Sequence, residues 1–408
     1  MNRTPSTQVA PTGALGAYRA LPRLAGRSFL PIAFLARLPF SMTTLGVLVL
    51  VTDATGSLAT AGLATAAASL GTAALGAVQG RLADRYGQRR VVGVVSLLQA
   101  AAALAVVAAA GRASTAVLLL ACAALGASAP QIGAFARVRW IALAEHDGRT
   151  LGAAMSYEST VDEITFVLGP ALVGIIAASG EPAWALGVAA ALVAIFGVAF
   201  ALHPTARAPR RAPEARGERI GTRAVLRLVA APATGMLALG VFFGGTQASV
   251  TAVAAAEGRP GLAGLLYAVV GIGSAVTALS VVALPASFSL ERRWTVAAAG
   301  LFAACAVTLL VTTLGGLVAA LAVVGLFVGP TIVTLFSVAG ERAPTPAAGT
   351  AMTLMVSANV VGVAIGAAAA GAVAEGGTAG AAFWVPVLAA GVLTVTGALA
   401  ARTRRVAG

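Results

Sequence analysis

Long apolar runs broken by short polar stretches dominate the chain. A crossing of about 30 Å of hydrocarbon needs about 20 mostly apolar residues in helical form. By that ruler, six helices fall near 29–51, 60–80, 91–110, 115–135, 150–178 and 183–202. Six more fall near 232–254, 262–285, 294–314, 316–338, 349–374 and 381–401, with Gly315 and Gly316 marking the turn between the ninth and tenth. The pattern predicts an all-α polytopic membrane protein of twelve transmembrane helices in two six-helix halves, 29–202 and 232–401. A tail covers 1–28, a polar linker 203–231 and a short tail 402–408.

The polar positions between the runs orient this bundle. Arginines gather in the first tail (Arg3, Arg19, Arg23, Arg27), after span two (Arg81, Arg85, Arg89, Arg90), after span four (Arg137, Arg139, Arg149) and in the linker, which holds seven. Arg292, Arg293, Arg342 and the last tail continue the series, whereas Arg112 and Arg259 fall on the opposite side with Asp53, Glu181, Glu257 and Glu375. Basic loops stay in the cytoplasm, so both termini are expected there. His146 and His203 fall at the same edges and read as surface residues.

Composition narrows the class. Of 408 residues 59% are hydrophobic and 10% charged, well below the charged share of about 25% in soluble domains. All the basic residues are arginine, a usage that GC-rich bacterial genomes tend to encode, so a bacterial cytoplasmic membrane is the expected location. The net charge of +13 is accounted for by orientation, so nucleic-acid binding is excluded as the reading of it. Cys122 and Cys305 lie inside apolar runs and behave as small hydrophobes. The linker reads as a solvated tether that touches anionic headgroups. No nucleophilic triad, phosphate loop or metal-ligand cluster is visible, so neither catalytic residues, metal nor cofactor is expected.

The loop after span two reads Gly80-Arg-Leu-Ala-Asp84-Arg85-Tyr-Gly87-Gln-Arg89-Arg90. It resembles the signature loop of the major facilitator superfamily, departing only at Gln88, where a basic residue is usual. The resemblance implies that Asp84 faces the start of span eleven near Gly349 and forms a latch favouring an outward-open state. In span five, Gly169, Pro170 and Gly174 resemble the glycine-proline element of drug-type antiporters, with Thr165 and Val173 where glycines are usual. Span four carries Gln131 of a further signature, with Ser128 in the arginine position three residues earlier.

Ionisable groups inside spans point to chemistry, because each is costly in hydrocarbon unless paired or hydrated. Span five holds Glu158, Asp162 and Glu163. Helical spacing puts Glu158 and Asp162 on one stripe with Thr165 and Gly169, and Glu163 on the neighbouring stripe with Ser159, Phe166 and Pro170. Arg37 reads as the only basic residue within a span, about 12 Å in and level with Glu158. It is expected to pair with Asp162 or Glu158, leaving another carboxylate to load and release protons. Ser41 and Thr44 extend its face, and Gln131, Phe243, Gln247, Thr251, Tyr267, Thr331, Thr334 and Asn359 complete a candidate cavity lining.

The expected function is proton-coupled secondary transport, exporting small amphiphilic or drug-like molecules by alternating access as a monomer in the bilayer. Coupled import of a small metabolite and a non-transporting sensor or assembly partner are the alternatives.

Overall fold

The computed structural model describes residues 14–56, 58–178, 181–211, 221–258, 262–285 and 287–407. Arg3, Arg216, Arg219 and Arg259 lie outside them. The described chain is helical throughout: α1 Ala14–Ala25, α2 Phe29–Thr55, α3 Leu58–Tyr86, α4 Gln88–Ala109, α5 Thr115–Ala127 and α6 Ile132–Leu143. Next come α7 Gly148–Ala178, α8 Ala183–Leu192, α9 Val198–Leu202, α10 Ala208–Arg211 and α11 Thr222–Leu228. The second half holds α12 Ala230–Ala256, α13 Leu262–Ser280, α14 Leu290–Thr308, α15 Leu314–Arg342, α16 Ala348–Gly376 and α17 Trp384–Ala407.

Among the described residues, eleven stretches are long and apolar enough to cross a membrane. The helix at the expected ninth span, α14, falls short because Glu291, Arg292 and Arg293 open it. The turn after it also comes earlier than the glycines suggested. Helix α15 starts at Leu314, because the Thr313 hydroxyl caps it by accepting the Gly316 amide proton at 3.2 Å, which places Gly315 and Gly316 in its first turn.

Local chemistry sets the other ends. The turn from α3 into α4 needs a left-handed residue, and Gly87 supplies it at φ +87°. Asp147 caps α7, accepting the Thr150 hydroxyl at 2.6 Å and the amides of Thr150 and Arg149. Those bonds hold its carboxyl below the usual range.

Span four is broken. Pro130 has no amide proton and disfavours helical backbone before it, so α5 stops at Ala127 and α6 restarts at Ile132. The carbonyls bared at the break are taken up from α3: Gln79 Nε2 donates to Ala127 at 3.1 Å and to Ala129 at 2.9 Å, and the Thr72 hydroxyl donates to Gly126. Buried glycines let these two helices approach closely, since a Cβ at Gly126 would meet the Ala68 carbonyl.

The second half is built around α12 against α16. Gly240 and Gly244 face Gly362 and Gly366 so closely that a Cβ on any of the four would meet backbone of the opposite helix. In hydrocarbon, such small-residue contacts replace the hydrophobic effect as the packing force. The halves meet through α3 against α16 and through α7 against α13 and α15. The linker expected as a solvated tether opens on a packed turn, with Thr205 and Ala206 buried against the first half, and its residues 212–220 lie outside the described ones.

Candidate functional site

Three helices of the first half bring four charged side chains together. Arg37 of α2 binds Glu158 of α7 through Nη2 and Oε2. The other Glu158 oxygen accepts the Trp140 indole proton from α6 at 2.6 Å, and Glu158 is wholly buried. Arg37 Nη1 stands 3.6 Å from Asp162 Oδ1, and Arg137 Nη2 of α6 donates to Asp162 Oδ2 at 2.7 Å. The Asp162 side chain retains 27% exposure, whereas both arginines of the cluster are buried. Gly133 makes room for the cluster: a Cβ there would come within 3.2 Å of Arg137 Nη1 and of Asp162 Oδ1. Arg137 also lies over the ring of Phe336, on α15 of the second half, at 3.8 Å.

Arg37 is therefore not the sole arginine inside a span. Arg137 and Arg139, expected beyond span four, are both fully buried in it, because the helix restarts after Pro130 and runs on to Leu143. The cluster is donor-rich: Nε and Nη1 of both Arg37 and Arg137 make no hydrogen bond. Arg139 forms no ion pair with a carboxylate among the described residues. It donates to Gln88 Oε1 at 2.9 Å, to the Phe200 carbonyl at 2.9 Å and to Thr205 Oγ1 at 3.0 Å, and stacks on the Phe200 ring at 3.6 Å. Gln88, the departure from the signature loop, is thus buried as an acceptor for an arginine, a role a basic side chain could not fill. His203 packs beside this group, 5.4 Å from the Phe29 ring, and is half-buried, not a surface residue. Burial and the Arg139 charge push its imidazole below its usual 6.5.

Glu163 points elsewhere. It is half-buried, has no described arginine within ion-pair distance, and faces Ser274 and Tyr267 of α13, across the boundary between the halves. The two stripes of α7 thus serve different surroundings.

At the arginine-rich end, Asp84 reaches across to the start of α16. Its carboxylate accepts the Gly349 amide at 3.0 Å, the Thr350 amide at 2.8 Å and the Thr350 hydroxyl at 2.7 Å, the geometry of a helix cap supplied by the other half. Gly80 permits the approach, since a Cβ there would meet Thr353 and the Gly349 carbonyl. Arg85 stacks on Tyr86 at 5.0 Å, and Arg89 and Arg90 are exposed.

The remaining candidates divide. Thr44, Gln247 and Thr251 are exposed and Phe243, Tyr267 and Asn359 half-buried. Ser41, Thr331 and Thr334 are buried and donate to carbonyls of their own helices, Leu38, Phe327 and Pro330. Gln131 is buried at the break in span four. Gly169 packs against Ser41 of α2, Pro170 lies inside an α7 that continues past it, and a Cβ at Gly174 would meet no described atom. Among the described residues no group of three or more His, Cys, Asp or Glu side chains gathers in a way that would hold a metal ion.

Residues 29–355 match the family model of the Major Facilitator Superfamily. The chain belongs to the major facilitator superfamily. As a member it is a multi-pass secondary transporter of small molecules and not an enzyme. No curated protein matches its sequence. The human organic anion transporter MFSD10 (TETRAN) is similar in structure at 17% identity and TM-score 0.72, over 91% of this chain and 99% of that one. FucP in its outward conformation aligns at 14% identity and TM-score 0.68, over 94% and 99%. A bacterial homologue of the iron transporter ferroportin, outward-facing, aligns at 17% and 0.69, over 90% and 97%. At these identities the likeness is one of fold.

Proposed function

We propose that this superfamily member is a proton-coupled transporter that exports small amphiphilic or drug-like molecules across a bacterial plasma membrane, with both termini cytoplasmic and Glu163 carrying the proton. The observation that carries this reading is the division of the α7 acids: Glu158 and Asp162 share two arginines, whereas Glu163 has none and faces the other half. A carboxylate without counter-charge is costly to hold ionised away from water. Separation of α7 from α13 brings water to it and lets the proton leave, so its occupancy follows the conformational cycle. The Asp84 cap on α16 latches the cytoplasmic ends together. The mostly apolar second half suits amphiphilic cargo, with Gln247 and Thr251 as exposed hydrogen-bonding groups.

In proteoliposomes with an imposed pH gradient, efflux of an amphiphilic dye is expected to follow the gradient. Glu163→Gln should keep dye binding and lose the dependence on the gradient. Equal gradient dependence in wild type and Glu163→Gln would remove Glu163 from the coupling role, and flux indifferent to the gradient in both would leave a facilitator.

A second reading, coupled uptake of a small anionic metabolite, is favoured by the surplus donors of Arg37 and Arg137. An anion that took Arg137 from Asp162 would leave that acid to bind a proton, so anion and proton would travel together. MFSD10, similar in fold, is named as an organic anion transporter. Proton uptake on substrate binding supports this reading, and proton release supports exchange.

A further inference from the structure

Helix α1 lies outside the transport bundle, and its two faces have different partners. Ala17, Leu21 and Ala25, four residues apart, are buried against the first half, where Leu21 and Ala25 join a core with Phe29, Ala83 and Ala154. The Tyr18 hydroxyl donates to the Leu279 carbonyl of α13, so the helix rests on one half and is tied to the other. On its opposite face Arg19 and Arg23, one turn apart, are exposed, as is Arg27 after the Gly26 turn. None of the three forms an ion pair with a described residue.

The surroundings define what these arginines meet. Leu279, Val276 and Ile272 follow one another along the outer face of α13, at 38%, 63% and 66% exposure, beginning at the residue that Tyr18 binds. Leu24 of α1 is itself 39% exposed. An apolar stripe running into the hydrocarbon from three unpaired cations fits one occupant: a phospholipid whose acyl chain lies on the stripe and whose anionic headgroup meets the guanidiniums. We propose that α1 is an anionic-phospholipid site, and that the bound headgroup holds α1 as a strap across α7 and α13, favouring the state in which those helices are closed at the arginine-rich end. Separation of α13 from α7 at this end must break the Tyr18 bond or lift α1 from its seat. A headgroup bound to Arg19, Arg23 and Arg27 opposes the lifting.

The test uses the full chain in bilayers of phosphatidylcholine with and without phosphatidylglycerol. Association of spin-labelled phosphatidylglycerol relative to spin-labelled phosphatidylcholine is measured for wild type and for Arg19→Gln/Arg23→Gln/Arg27→Gln. Each basic residue near an anionic surface is worth about fivefold in association, so the triple variant should lose at least that much selectivity. The lysine triple variant should retain it. Spin labels at Leu24→Cys and Leu284→Cys, with Cys122 and Cys305 replaced by alanine, report the strap. One short distance is expected with phosphatidylglycerol, and a second, longer population in phosphatidylcholine alone or in the glutamine variant. Tyr18→Phe should broaden the distance while keeping lipid selectivity. Selectivity unchanged in the glutamine variant would overturn the site, and a distance indifferent to phosphatidylglycerol would overturn the strap.

Discussion

Replacing Asp84 with asparagine isolates the contact between α3 and α16. In the structure its carboxylate accepts three hydrogen bonds from Gly349 and Thr350, all at the first turn of a 29-residue helix belonging to the other half. Hydrogen bonds to a charged acceptor contribute about 1.5–3 kcal/mol each, and a negative charge at a helix N-terminus adds about 0.3–1 kcal/mol. An asparagine oxygen can keep one backbone donor, while its amide presents a donor to the other and the charge is gone. In a state open at this end, water would satisfy the same groups, so the loss falls on the closed state alone. Taking about 2–3 kcal/mol for the difference, the closed-to-open ratio should fall by about 30- to 150-fold. Spin labels at Tyr86→Cys and Thr345→Cys flank the contact on exposed positions, and their distance distribution reads the ratio directly. Thr350→Val, which deletes the hydroxyl donor only, should shift it less. Substrate binding to the purified protein should persist in both. A distance distribution unchanged in folded Asp84→Asn would refute the energetic reasoning, and binding lost outright would show that Asp84 serves the cavity and not the closure.

Arg137→Ala leaves Asp162 without its closest partner and should cost about 1–3 kcal/mol by thermal unfolding, below the figure for a fully buried pair because Asp162 is part-exposed; adding Asp162→Asn should restore part of it. Gly244→Ala should lower the melting temperature even though alanine is the better helix former by about 1 kcal/mol, since its methyl would meet the Val363 carbonyl; a higher melting temperature would mean α12 and α16 can separate freely. The neutral imidazole of His203 is favoured in the folded protein, so the unfolded chain takes up its proton first as pH falls. The stability it contributes is complete above its ordinary value of 6.5 and is lost as pH drops below that, and His203→Asn should flatten this limb of a stability profile.

The apolar runs were long enough to locate the helices, though several ends fell more than a turn away, as at Tyr86, Leu143 and Ala407, and spacing along α7 set Glu163 apart from Glu158 and Asp162. Span four is where the ruler of about 20 residues misled. It ended the helix near residue 135 and left Arg137 and Arg139 in water, whereas the chain breaks at Pro130 and needs 29 residues from Thr115 to Leu143 to finish. A proline mid-span with an arginine seven residues on was the available signal. The burial of Arg137 depends on Asp162 and Phe336, which are far away in the sequence, and no local pattern announces such partners. Helix α1 was equally readable in retrospect from Ala17, Leu21 and Ala25, but at 12 residues it was too short to register as a crossing.

The hold of Gln79 on the bared carbonyls of Ala127 and Ala129 has a mechanical consequence. Gln79 sits in α3 five residues ahead of Asp84, and the break it clasps is the hinge from which α6 and Arg137 project. A tilt of α3 on release of α16 at Asp84 would pull on those two bonds, and through them on the break from which α6 carries Arg137 towards Asp162 on α7. The bonds of Gln79 would in this way tie closure at one end of the molecule to the ion pair at its centre.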